Sequence, residues 1–168
     1  GDGCRDAINQ LSDVLIRHRL WGIVYTLRAE AFLEEFHKTK SIADLELAFY
    51  DDNMVSVLIP QSPVAMNYSL KLHLHALQYA AACPQAMDES LVALRLKTAA
   101  RLAAELSRSL DSWDGAAHAL AYYRFTQQEA KADDLEKRIE SQFAELQTIR
   151  DGRMFVEQDA EGLRRAAD

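Results

Sequence analysis

Residues 44–59 read DLELAFYDDNMVSVLI, and residues 69–76 read SLKLHLHA. The spacing of apolar side chains in these two runs decides the expected fold class. Leu45, Leu47 and Phe49 alternate with Glu46, Ala48 and Tyr50. Val55, Val57 and Ile59 repeat the pattern, offset by Ser56 and Leu58. Period-two alternation is the signature of a strand with one buried face. Asp51-Asp52-Asn53 between the two runs has turn chemistry, because Asp bonds nearby backbone and Asn tolerates positive φ. Leu70, Leu72 and Leu74 alternate with Lys71, His73 and His75 and predict a third strand. Pro60 and Pro63 bound the connection, where a residue without an N–H does no harm. The expected unit is a three-stranded antiparallel meander whose aliphatic face needs a cover. Residues 66–83 also have a helical reading.

Outward from this unit the spacing is helical. Ile8, Leu11, Leu15, His18, Gly22, Tyr25, Ala29, Phe32 and Phe36 recur at intervals of three and four, a heptad-like seam over residues 5–38. It predicts one long helix, or two broken near Trp21 and Gly22, with Gly22 allowing a close approach if the helix continues. A second helix is expected over residues 89–110, with Leu91, Leu94, Thr98, Leu102, Leu106 and Leu110 inward. Residues 111–115, DSWDG, form a capped turn. A third helix then runs over residues 116–150, with a seam from His118 through Phe125, Gln128, Leu135, Ile139, Gln142 and Leu146 to Ile149. Polar seam positions such as Gln128 and Gln142 set register at some cost in packing. Asp151-Gly152 is a stop signal. The predicted fold is α+β, with long amphipathic helices from both ends packed on the meander. It forms a single domain over residues 1–152, with a weakly structured or short helical tail over 153–168. A mostly helical bundle with a β-hairpin insertion is the alternative.

The bulk properties exclude some functions. The 168 residues carry a net charge of −7 at a pI near 5.2, and 49% are apolar. An acidic chain repels phosphate backbones, so no nucleic-acid partner is expected. The basic pieces, Arg17-His18-Arg19 and Arg164-Arg165, are short. Arg95, Lys97, Arg101 and Arg108 read as a solvated helix face. Cys4 and Cys83 lack metal-type spacing and read as thiols in a reducing, cytoplasmic compartment, with a disulfide as the alternative. No apolar run is long enough to span a bilayer, and no membrane partner is expected. The chain begins at Gly1 rather than Met, as a trimmed product or a piece of a longer chain would.

His73 and His75 are the sharpest chemical signal. On a strand, positions two apart share a face, and paired imidazoles could hold a divalent metal if a carboxylate joined them. A ligand-binding face would gather Glu46, Tyr50, Ser56, Lys71, His73 and His75. Neither Glu34-x-x-His37, single where a di-iron bundle needs two copies, nor Tyr122-Tyr123-Arg124-Phe125 makes a site by itself. His18 and His118 sit on the two long seams and would form a pH switch if the seams met. Gly-rich phosphate loops and nucleophile motifs are absent from the sequence.

The seams outnumber the surfaces that one small sheet can cover. This predicts a homodimer through Phe125, Gln128, Leu135, Ile139, Gln142, Leu146 and Ile149, in a non-enzymatic interaction or regulatory domain without a cofactor. A small-molecule or metal-binding sensor or enzyme is the first alternative. The second is an acidic secretion chaperone. A small acidic chain of helices with an amphipathic sheet resembles in composition the dimeric chaperones of bacterial type III secretion substrates, although no motif carries the likeness.

Overall fold

The computed structural model describes residues 3–142 and residue 144. The described residues are helical and contain no strand, so the predicted meander is absent and the fold is a bundle of antiparallel helices. The elements are α1 (Gly3–Arg17), α2 (Gly22–Thr39), α3 (Ile42–Leu58), α4 (Pro63–Ala82), α5 (Glu89–Ser109) and α6 (Trp113–Phe125). A further helix, α7, begins at residue 129 and is described through residue 142. The bundle alternative therefore holds, without its hairpin.

The stretch read as two strands is α3. Its buried residues Leu45, Ala48, Phe49 and Val55 follow helical spacing, while Leu47 and Val57 stand exposed. The two-residue alternation was a short window cut from a 3.6-residue period, and Leu, Glu and Ala favour the helix. Asp51 and Asp52 are no turn. Asp51 is fully buried and takes a bidentate bond from Arg28 of α2, with Nε to Oδ2 at 2.8 Å and Nη2 to Oδ1 at 2.7 Å. A tertiary partner uses the acid that local chemistry would have placed in a loop.

The expected third strand lies inside α4, which explains its apparent alternation. α4 is buried on two sides. Leu70, Leu74 and Leu77 join α5, α6 and α7 in one core, with Leu102, Leu106, Ala119, Tyr122 and Leu135. Leu72 and Ala76 join α1, α2 and α3 in another, with Ile8, Leu33, Phe36, Leu45 and Phe49. A helix that is apolar around most of its circumference carries no one-sided stripe to betray its period. Pro63 occupies the first turn of α4, where the missing N–H is harmless. Ser62 caps that turn by accepting from the Ala65 N–H at 3.3 Å.

Both long seams are broken. The N-terminal one turns at residues 18–21, so α1 and α2 are separate. Gly22 is buried against Ile59 of the α3–α4 connection, where an added Cβ would stand 3.0 Å from the Ile59 side chain. The C-terminal seam breaks after Phe125, with Gln127 in the left-handed region at φ 59°. Ser112 starts α6 by accepting from the Gly115 N–H at 3.0 Å.

Candidate functional site

A half-open cavity of about 280 Å³ lies between α3, α4 and α5. α3 contributes Asp52, Asn53 and Ser56, α4 contributes Ser69 and His73, and α5 contributes Arg95, Thr98 and Arg101. Val55, Ile59, Ala65, Met66, Leu94 and Leu102 supply an apolar wall. A concave, mostly apolar space with a few convergent polar groups is the usual form of a small-molecule site.

The polar groups have defined states. His73 is buried, and its Nδ1 lies 2.7 Å from the Ser69 carbonyl oxygen, which can only accept. Nδ1 is therefore the protonated nitrogen. Burial pushes the imidazole down to about 4, and Arg95 and Arg101 push the same way, so the ring is neutral at pH 7. It stands T-shaped to the Phe49 ring, with 5.1 Å between centroids. Burial raises the Asp52 carboxyl above its ordinary range. The Ser69 hydroxyl, which donates to it, and the two arginines pull it back.

Arg95 is the least satisfied group. Its guanidinium lies 3.5 Å from the Phe49 centroid, a close cation–π contact. Its Nε is buried and has no hydrogen-bond partner among the described residues. Burial lowers its affinity for the proton, and the Asp52 charge offsets this only in part. Arg95 also borders a second cavity of about 260 Å³, lined among others by Glu46, Tyr50, Met87 and Leu91.

The expected ligand face is thereby dispersed. Glu46 and Tyr50 are exposed residues of α3 beside the second cavity. Ser56 and His73 line the first. Two positions apart on a helix means roughly 200° of rotation, so His73 and His75 point away from each other and share no metal. His75 stands 4.7 Å from His37 between ring centroids and is pushed down to about 4, first by burial and then by His37 and Lys71. Lys71 pairs with Glu30 of α2. Among the described residues no cluster of three His, Cys, Asp or Glu could hold a metal. His18 packs edge-on against Trp21, whereas His118 Nδ1 lies 2.6 Å from Asn67 Oδ1, so the two seam histidines do not meet.

The expected interface residues have other surroundings. Leu135 and Ile139 are buried in their own chain, and Phe125 packs against the same core. Gln128 is half-buried and donates through Nε2 to Thr126 Oγ1 at 2.7 Å. Gln142 is exposed, and Leu146 and Ile149 lie outside the described residues.

Sequence reading missed Asp52, Ser69, Arg95 and Arg101. One signal was present. Arg95 falls four residues after Leu91 and three before Thr98, on the very stripe expected to face inward. Compared with protein-family models, with curated proteins and with solved structures, the chain matches none.

Proposed function

We propose that this chain is a non-catalytic binding domain whose α3–α4–α5 cavity takes a small organic anion with an apolar portion. The observation that carries the reading is Arg95, a half-buried cation whose buried Nε has no hydrogen-bond partner among the described residues. An unpaired buried donor costs roughly 1–3 kcal/mol, more when charged. A carboxylate or phosphate entering the cavity would recover that cost through a charge-assisted bond. The neutral His73 would offer Nε2 as an acceptor to a hydroxyl or amide of the same ligand. The wall from Val55 to Leu102 suits a short hydrocarbon portion. The Ser69 hydroxyl and the His73 Nδ1 are both engaged with protein acceptors, an arrangement for holding a ligand rather than attacking it.

A homodimer through the 116–150 seam has less to support it, since Leu135 and Ile139 are spent within the chain. The secretion-chaperone resemblance leaned on an amphipathic sheet, which the described residues lack. The test is thermal unfolding with a series of monocarboxylates from acetate to octanoate, with hexylamine as control. A ligand at ten times its Kd adds about 1.4 kcal/mol, which moves Tm by roughly 3–6 °C. The acids should raise Tm, the amine should not, and Arg95→Met should abolish the shift. No shift with any acid, or a shift that survives Arg95→Met, overturns the proposal.

A further inference from the structure

The α1–α2 turn presents large apolar side chains to solvent. Leu20 is 79% exposed, Ile16 75% and Trp21 53%. Arg17, His18 and Arg19, all exposed, are interleaved with them. Val57, 76% exposed, belongs to the same end of the bundle, because the ends of α1 and α3 and the starts of α2 and α4 share one small core.

The turn that makes this display is hydrogen-bonded along its backbone. The His18 N–H donates to the Val14 carbonyl at 2.9 Å, the Trp21 N–H to the His18 carbonyl at 3.1 Å, and the Tyr25 hydroxyl to the Arg19 carbonyl at 2.9 Å. Apolar side chains exposed by a mobile segment could fold back, but these stand on a backbone whose bonds are already made.

The charge around the turn has the opposite sign to that of the whole chain. The protein carries 26 acidic residues, yet residues 14–29 and 54–87 contain no Asp or Glu. Asp13 is the nearest acid on α1, and Asp51 is turned inward against Arg28. This basic, apolar tip repels a second copy of itself and attracts an anionic surface. A convex turn led by Leu and Trp fits a fluid interface better than the groove a partner helix would offer. Trp resides at the headgroup level of bilayers, and interfacial apolar side chains enter the upper acyl region while arginines stay with the phosphates. No helix among the described residues is long and apolar enough to cross a membrane. That concerns spanning, not surface attachment.

We infer that the α1–α2 turn docks the protein on an anionic lipid bilayer, with Ile16, Leu20 and Trp21 inserted and Arg17 and Arg19 at the headgroups. The test is co-sedimentation with vesicles of phosphatidylcholine alone or with about 30 mol % phosphatidylserine, at about 0.1 M salt. A Trp113→Phe background leaves Trp21 as the one tryptophan and so a fluorescence reporter. The protein should pellet with the anionic vesicles only, and Trp21 emission should shift to the blue. Arg17→Gln with Arg19→Gln should lower partitioning by about fivefold per arginine, equivalent to ~1 kcal/mol each. Leu20→Ser with Trp21→Ser should abolish it while the helical circular dichroism stays intact. Three results overturn the inference: no association with anionic vesicles, association that survives Leu20→Ser with Trp21→Ser, or saturable capture of polyglutamate without any vesicle binding. The last would assign the tip to an acidic protein partner instead.

Discussion

Removing one member of the Arg28–Asp51 pair should cost far more than removing both. Asp51 is fully buried on α3, and Arg28 reaches it from α2 with two bonds while a third, to Ser12 Oγ at 3.2 Å, extends to α1. The guanidinium also lies 5.7 Å from the Tyr25 centroid and 5.9 Å from that of Phe32. The hydrogen bond to Asp51 raises the affinity of Arg28 for its proton. Burial raises the Asp51 carboxyl by more than Arg28 lowers it. Desolvation is thus the larger influence on the acid, so the pair specifies how three helices dock more than it adds net stability.

Breaking a buried pair by removing one partner typically costs 3–5 kcal/mol. Arg28 keeps some contact with solvent, so Asp51→Leu belongs at the lower end, about 3 kcal/mol. At a urea slope of about 1.5 kcal/mol per M, the midpoint falls by about 2 M. Arg28→Met leaves Asp51 buried without its partner, for about 3–5 kcal/mol at pH 7. That carboxyl is then raised further. A raised acid contributes stability that is present in acid and lost as pH climbs through its folded-state value, so the Arg28→Met deficit should shrink toward pH 5. The double variant Arg28→Met with Asp51→Leu replaces charge by hydrocarbon and should lie within about 1 kcal/mol of the parent. Urea unfolding followed at 222 nm measures all three. A double variant that loses the sum of the single losses, about 6 kcal/mol or more, would refute the account, because the pair would then be a net stabiliser.

His73, depressed to about 4 from an ordinary 6.5, should cost stability as pH falls from 6.5 toward 4, by about 3 kcal/mol if it acted alone. The raised carboxyls of Asp51 and Asp52 act in the opposite sense and blunt the slope, and urea midpoints across that range should flatten further in His73→Gln. Gly22→Val places a branched side chain against Ile59 and should lower stability by about 1–3 kcal/mol, read as a fall in Tm. Ser112→Ala removes the cap at the start of α6 and should cost about 1 kcal/mol in the same assay. Should it leave Tm unchanged, water satisfies the Gly115 N–H equally well.

The sequence revealed the amphipathic ends of this fold more clearly than its middle. α1 and α5 contribute mainly one buried side each, and the three-four spacing placed Ile8, Leu15, Leu102 and Leu106 inward, although Leu91 and Leu94, expected on the same side of α5, are exposed. α3 and α4 were misread for different reasons. α3 buries one side, but its exposed Leu47 and Val57 complete an apparent alternation with Leu45, Phe49 and Val55, whereas α4 meets partners around much of its circumference. The acids of α3 looked like a turn because their partners, Arg28 and Ser69, are distant in sequence. The cavity suffered likewise. Ser69 and His73 are one helical turn apart and could have been paired from spacing, but Arg95 enters from α5, and only tertiary packing brings it beside Asp52.

α4 also sets an order of events during synthesis. The first three helices share cores that Leu72, Ala76 and Ala65 of α4 complete, so on the ribosome they wait with one wall missing. α4 is 20 residues long and takes on the order of 1–4 s to make at 5–20 residues per second. In that interval the nascent chain is open to chaperones and proteases. The other side of α4, with Leu70, Leu74 and Leu77, then waits in the same way for α5, α6 and α7.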